Sequence, residues 1–443
     1  MPATDFERRQ PGQRAADKER LKTQLDRLKN QKRAHQFQSD LFRTIDKRQK
    51  RRRAPVALGR IDRSPQGDFL VALSGDIVVR SADAQAAADL LGRGYVQLRV
   101  RELDGKVTKF TKAGADIDET RLSVAALRDE NIQATVNYVL PLGYIAKGEG
   151  GFENTTVSQG QFVPDPDGPC VPVAVIDTGV AAKLRNDGWL RSVPRGLGSV
   201  DPLYQDPPDD LLDFAAGHGT FVAGVIQQIA PRAEIQTFAA VGSNGIGSEL
   251  SVAGALVRAA RGGAQVINMS LGSETEKEEQ PVGLAVALEI IDADARAAGT
   301  RPPIIVAAAG NAATSKKTWP AAFDAVIGVA SLAADGTPSA WSNSGDWVDC
   351  SAVGEGIVSP YVEGREDEAV DKDDPDVFEV DAWALGTGTS FAAPQITGAL
   401  AAVLCDEPDL SKDEALGRVL AQAQDLSAQG FGRGVVILPG TPT

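Results

Sequence analysis

From Val171 onward, short apolar stretches alternate with longer helical ones, and that alternation limits this part of the chain to a parallel sheet covered on both faces. Pro172–Ile176, Glu234–Ala239, Gln265–Met269, Ile304–Ala308 and Ala325–Ala330 are short, apolar and bounded by turn residues, so they are expected as buried strands. Helices are expected between them near His218–Ile229, Glu249–Arg261 and Val282–Ala298. In such sheets ligands bind at the carboxyl ends of the strands. Asp177, Ser270 and Asn311 all fall at such ends.

Three segments carry chemistry. Val173-Ala174-Val175-Ile176-Asp177-Thr178-Gly179 is a strand ending in a carboxylate. Gly217-His218-Gly219-Thr220-Phe221-Val222-Ala223-Gly224 opens a helix on one of only two histidines in 443 residues. Gly388-Thr389-Ser390-Phe391-Ala392-Ala393-Pro394 opens an apolar helix that runs to about Leu404. A serine nucleophile needs a base that is unprotonated near neutral pH, and the base needs an anion to hold its tautomer. Ser390, His218 and Asp177 supply one of each. The helix start at Ser390 adds unpaired N–H groups and a positive dipole end where an oxyanion would form.

These segments, in the order Asp, His, Ser, resemble the three catalytic motifs of the subtilisin-like serine proteases (subtilases). The resemblance runs from about Val171 to Pro439. It implies a doubly wound, mostly parallel α/β sheet and a serine endopeptidase with Asp177, His218 and Ser390 as its triad. Asn311, at the end of Ile304-Ile305-Val306-Ala307-Ala308-Ala309-Gly310-Asn311, is similar to the family's oxyanion-hole asparagine. Ser270-Leu271-Gly272 and the run from Gly242 through Gly245 to Gly247 resemble the two edges between which a substrate strand adds. Ala308, Ala309 and Gly310 would line the pocket for the residue before the scissile bond, with Thr318 and Trp319 at its floor. Two departures stand out: Phe391 where the family often has Met, and Gln395 where it often has His.

Upstream, four regions are expected: a basic helical arm (1–53), a small α+β domain (54–145), a Gly/Pro/Asp-rich linker (146–169) and the catalytic domain (170–443). Residues 13–50 read as one long helix with no internal Pro or Gly. The arm holds 17 Lys/Arg and 7 Asp/Glu on a chain whose formal net charge is −14, so a basic arm sits on an acidic body. It is expected to be a solvated helix; the alternatives are a site for a regulatory protein partner and an element that folds back on the catalytic domain. No aromatic platform or base-reading motif accompanies the charge, which argues against nucleic acid. The order of elements in 66–145 is similar to the pro-domain many subtilases carry, with strands at Asp68–Leu73, Ile77–Arg80, Tyr95–Arg101, Val107–Thr111 and Ala134–Leu140. That similarity implies an inhibitory or chaperone role, against which stands a permanent accessory domain.

Cys170, Cys350 and Cys405 are too few for a disulfide framework and are expected as buried thiols. With no apolar h-region at the N-terminus and no apolar run of membrane-spanning length, the expectation is a cytoplasmic protein. No organic cofactor is expected, and the metal is left open: calcium supports many family members, yet no regular ligand spacing appears. The acidic insertion Glu363–Asp381 reads as a solvated loop, with the basic arm, basic substrates or calcium as its alternatives. A protein or peptide substrate is expected. The competing reading is a catalytically silent, partner-binding protein that acts through its basic arm.

Overall fold

The computed structural model describes residues 11–28, 31–51, 56–63, 68–140, 152–155, 157–205, 210–367 and 375–438. The expected sheet is present with eight strands, in the order 233–239, 171–177, 266–269, 304–308, 326–332, 350–353, 433–435 and 424–425. Every neighbouring pair is parallel except the last. Side chains alternate between its faces, as strand geometry dictates. Val171, Val173 and Val175 enter one core, Ala174 and Ile176 the other. The first core lies beneath two helices, His218–Ile229 (the histidine helix) and Thr389–Asp406 (the serine helix). The second lies beneath Glu249–Arg261 and Val282–Ala298. Strand Val171–Asp177 is flanked on one side by 233–239 and on the other by 266–269, so the chain reverses direction across the sheet beside Asp177.

The small domain is an antiparallel sheet of five strands, Leu58–Asp62, Phe69–Arg80, Val96–Arg99, Val107–Thr111 and Ala134–Tyr138, with helices Ala84–Leu91 and Ile117–Asp129. The strands expected at Asp68–Leu73 and Ile77–Arg80 are one continuous strand whose register shifts between Leu73 and Ile77. This domain sits on the outer side of the Glu249–Arg261 and Val282–Ala298 helices. Val78, Leu103, Val107 and Leu140 join Val252, Leu256 and Ile290 in a single core. A rim of ion pairs surrounds that contact: Arg63–Glu274, Arg121–Glu276, Arg128–Glu279, Arg80–Glu289 and Asp104–Arg261.

The arm departs from expectation twice. Two helices, Pro11–Leu28 and Gln31–Gln49, replace the single one, on either side of residues 29–30, which lie outside the described residues. The first helix is also docked along one face rather than solvated all round. Leu21 and Leu25, one turn apart, pack on Trp341, Leu385 and Val358. Fully buried Gln24 accepts a hydrogen bond from the Thr387 hydroxyl at 2.8 Å, and buried Asp17 accepts one from Thr155. Arg48 pairs with Asp367, so arm and acidic insertion meet. Part of that insertion is ordered as the strand pair Gly364–Glu366 with Val377–Phe378; residues 368–374 lie outside the described residues.

The cysteines need a correction as well. Cys170 and Cys405 form a disulfide with their Cα atoms 5.4 Å apart, inside the usual range, and only Cys350 is a buried free thiol. The bond ties the entry of strand Val171–Asp177 to the far end of the serine helix. Disulfides persist in oxidising compartments, so this bond does not support the cytoplasmic location expected from the sequence. Among the described residues no helix is long and apolar enough to cross a membrane.

Candidate active site

Asp177 ends its strand, and Thr178 N–H donates to its Oδ1 at 2.7 Å. His218 is the first residue of its helix, and its Nδ1 lies 2.8 and 2.9 Å from the two Asp177 oxygens. Both side chains are wholly buried. An ionised carboxylate only accepts, so Nδ1 carries the proton and Nε2 is left as the basic nitrogen. Nε2 is buried and has no hydrogen-bond partner among the described residues. The two turns are packed without slack: a Cβ at Gly219 would lie 2.2 Å from the Gly179 carbonyl oxygen, so only glycine fits after the histidine.

Ser390 is the second residue of the serine helix and is buried. Its hydroxyl donates to the Ser270 carbonyl at 3.2 Å rather than to His218, while the Ser270 hydroxyl donates back to the Ser390 carbonyl at 2.7 Å. As a first-turn residue, Ser390 has no intrahelical acceptor for its N–H. Asn311 stands beside it. Its Oδ1 accepts from both the N–H and the hydroxyl of Thr389, at 3.0 and 2.8 Å. An N–H donor can only face the amide oxygen, which fixes the amide's orientation and turns Nδ2 the other way as a donor. Thr389 is held in turn by Gly310 N–H. The oxyanion machinery and the nucleophile therefore share one braced loop.

The remaining candidates line the approach to this group. Gly242 and Gly245 close a turn, with Gly245 N–H bonded to Gly242 O and Gly242 N–H to Ile246 O. Next to it, Leu140 N–H donates to Gly247 O at 2.7 Å and Val139 forms an antiparallel bridge with Ser248. The glycine-rich edge is thus paired with the end of the small domain. Ser270 and Leu271 are buried and Gly272 is half-buried. Ala308 and Ala309 are buried in the sheet core, and Gly310 is half-buried beside Asn343 and Thr318, while Trp319 lies against Gly272. Gln395 donates to Val353 O and Phe391 O and accepts from Leu438 N–H, so it ties the C-terminal segment to the sheet. Among the described residues no group of three His, Cys, Asp or Glu side chains is placed to hold a metal ion.

Two features had no sequence signal. Phe152, from the linker, packs edge-on against His218 with ring centroids 6.0 Å apart and also contacts Phe391. Asp201 is a second buried carboxylate near Asp177. It accepts from Thr178 Oγ1 at 2.6 Å, Gly217 N–H at 2.8 Å and Leu203 N–H at 3.0 Å. Burial, helped by the like charge of Asp177, pushes its carboxyl up to about 7 against the pull of those three donors.

Comparison with known proteins bears on the same residues. The family model described as the subtilase family matches residues 168–434. A thermophilic serine proteinase of Bacillus sp. (strain AK1) is 33% identical over 248 residues, 53% of this chain and 52% of the relative. A thermostable alkaline protease of Halalkalibacterium halodurans is 27% identical over 320 residues, 70% of this chain and 75% of the relative. The chain spans about half the length of the first of these relatives. Among solved structures, fervidolysin from Fervidobacterium pennivorans, a keratinolytic enzyme related to subtilisin, aligns with a TM-score of 0.58 at 20% identity. That alignment covers 86% of this chain and 62% of fervidolysin. The likeness is one of fold, and its reach exceeds what residues 170–443 alone could supply.

Proposed function

This chain belongs to the subtilase family of serine endopeptidases, and from that premise we propose that it hydrolyses peptide bonds through an acyl-enzyme on Ser390. Ser390 Oγ turns from Ser270 O towards His218 Nε2, gives up its proton there and attacks the scissile carbonyl. Asn311 Nδ2 and the Ser390 N–H receive the oxyanion. His218 returns the proton to the leaving amine, and water then releases the acyl group by the same route. Asp177 keeps the imidazole in the tautomer this cycle needs. The observation that carries the reading is the bond from His218 Nδ1 to Asp177, which leaves a buried Nε2 with no partner among the described residues on a ring that packs against Phe391, the residue after Ser390. The scheme uses no organic cofactor.

An extended protein or peptide segment would add as a strand between the 242–247 and 270–272 edges. The first of those edges is not free, and this supports a second part of the proposal: the small domain restrains the enzyme. Leu140 N–H already uses the Gly247 carbonyl that a substrate strand would take. Phe152 covers His218, and Ser390 is 2% exposed. The buried contacts of Asp17, Leu21, Gln24 and Leu25 favour the arm as an intramolecular brace over a handle for an outside partner.

The test is digestion of fluorescently quenched casein by the full-length chain, followed over time beside Ser390→Ala, with mass spectrometry of any new N-termini. Cleavage by the parent chain, lost in Ser390→Ala, is expected. Rising activity as new termini appear between 140 and 152 is expected from the restraint. Equal cleavage by both proteins would end the peptidase reading.

A further inference from the structure

We infer that Asp201 is a positioning residue that sets His218 against Asp177 from outside the triad. This rests on the peptidase reading above. The carboxylate comes from a two-stranded parallel pair, Val180–Ala181 with Val200–Asp201, and it is 2% exposed. Its Oδ2 takes two donors, the Thr178 hydroxyl and the Gly217 N–H. Thr178 directly follows the aspartate, and Gly217 directly precedes the histidine. The Thr178 hydroxyl also accepts from Gly219 N–H at 3.1 Å, so Gly219 is fastened directly to the residue beside Asp177 and Gly217 is joined to it through Asp201. Asp201 Oδ1 is used as well, by Leu203 N–H.

This clamp acts where position matters most. The histidine and aspartate turns are in contact at Gly219 and Gly179, so a shift of one moves the imbalance into the imidazole rather than into empty space. Among the described residues, the aromatic rings against His218 are Phe152, edge-on, and Phe391, tilted. Neither ring offers a polar group that could restore its height above Ser390. A carboxylate suits the post because it presents acceptors to three donors at once. A carboxamide of the same shape offers one oxygen, and its NH2 must then face either Leu203 N–H or the Thr178 and Gly217 donors.

The full-length chain carrying Asp201→Asn tests this, compared with Thr178→Val, which removes the shared hydroxyl, and Thr178→Ser, which keeps it. With a chromogenic tetrapeptide p-nitroanilide as probe, Asp201→Asn and Thr178→Val should lower kcat about 10- to 100-fold with KM within about twofold. Thr178→Ser should retain the parent kcat. A readout independent of turnover is available because the chain has two histidines. In 15N-histidine protein carrying His35→Gln, the downfield His218 Nδ1–H resonance should move or broaden in Asp201→Asn and stay in place in Thr178→Ser. A folded Asp201→Asn with the parent resonance and the parent kcat overturns the inference. Turnover that survives Ser390→Ala overturns the peptidase reading instead, while the resonance still reports on the clamp.

Discussion

Replacing Asp177 by Asn should leave the fold standing and nearly stop turnover. The side chain is wholly buried, keeps its shape and still meets the donor at Thr178 N–H, 2.7 Å from Oδ1, with its remaining oxygen. Its new NH2 takes the place of Oδ2 and faces His218 Nδ1, 2.9 Å from that oxygen in the parent. Two donors cannot share that contact, so the imidazole proton moves to Nε2 and Nδ1 becomes an acceptor. The hydrogen bonds are conserved in number, so the expected loss of stability is within about 1 kcal/mol. The chemical cost is far larger, since Nε2 can no longer take a proton from Ser390. In comparable triads the wrong tautomer lowers kcat by about 10⁴, which at 1.36 kcal/mol per decade is about 5.4 kcal/mol of transition-state stabilisation. The assay is kcat on the tetrapeptide p-nitroanilide, with a thermal melt to establish folding. A folded variant that loses less than about tenfold would refute the assignment of His218 Nε2 as the base.

The same geometry sets other expectations. Asn311→Ala should lower kcat by about 10²–10³ with little change in KM, read from steady-state kinetics, because Nδ2 is the donor aimed away from Thr389. Reversing Arg63, Arg121 and Arg128 to Glu together breaks three partly exposed pairs with Glu274, Glu276 and Glu279, each worth about 0.2–1 kcal/mol; casein turnover by the full-length chain should rise, and an unchanged rate would count against restraint by the small domain. Glu249 should make stability pH-dependent: burial pushes its carboxyl up to about 8, above its usual value, although Gly283 N–H bonds to it. A group raised in the folded state stabilises it fully below its free pKa and loses that contribution as pH rises from about 4.5 through about 8, so the melting temperature should fall with pH over this window and Glu249→Gln should flatten the fall. Cys170→Ser with Cys405→Ser opens a loop of 235 residues, for which chain entropy predicts a loss of up to about 5 kcal/mol, seen as a melting temperature lower by roughly 10 °C.

The catalytic half was legible because buried parallel strands write themselves as unbroken apolar runs. His218–Ile229, Glu249–Arg261, Val282–Ala298 and Ile304–Ala308 lie where the sequence places them. The small domain was legible except for Leu58–Asp62. There Gly59 occupies an inward position where an apolar side chain would signal a strand; a Cβ at Gly59 would lie 2.5 Å from Ile117 Cβ, so helix Ile117–Asp129 packs directly on the backbone. The arm's docking could not be read. Leu21 and Leu25 share a face, but their partners Trp341 and Leu385 are more than 300 residues away, and the buried Asp17 and Gln24 resemble ordinary surface residues in sequence. The disulfide was hidden by the same distance. Asp201 carries no motif at all, because its role is defined by where a two-residue strand happens to meet Thr178 and Gly217.

The most direct measurement is the site and rate of reaction with a fluorophosphonate, which modifies a serine only when its oxygen is activated. The full-length chain is incubated until its turnover is constant, then treated, and intact mass and peptide mapping locate the adduct. A single adduct on Ser390, with a rate that falls more than about 10³-fold in His218→Ala, is the result this account predicts. No adduct, or one on another residue, would contradict it.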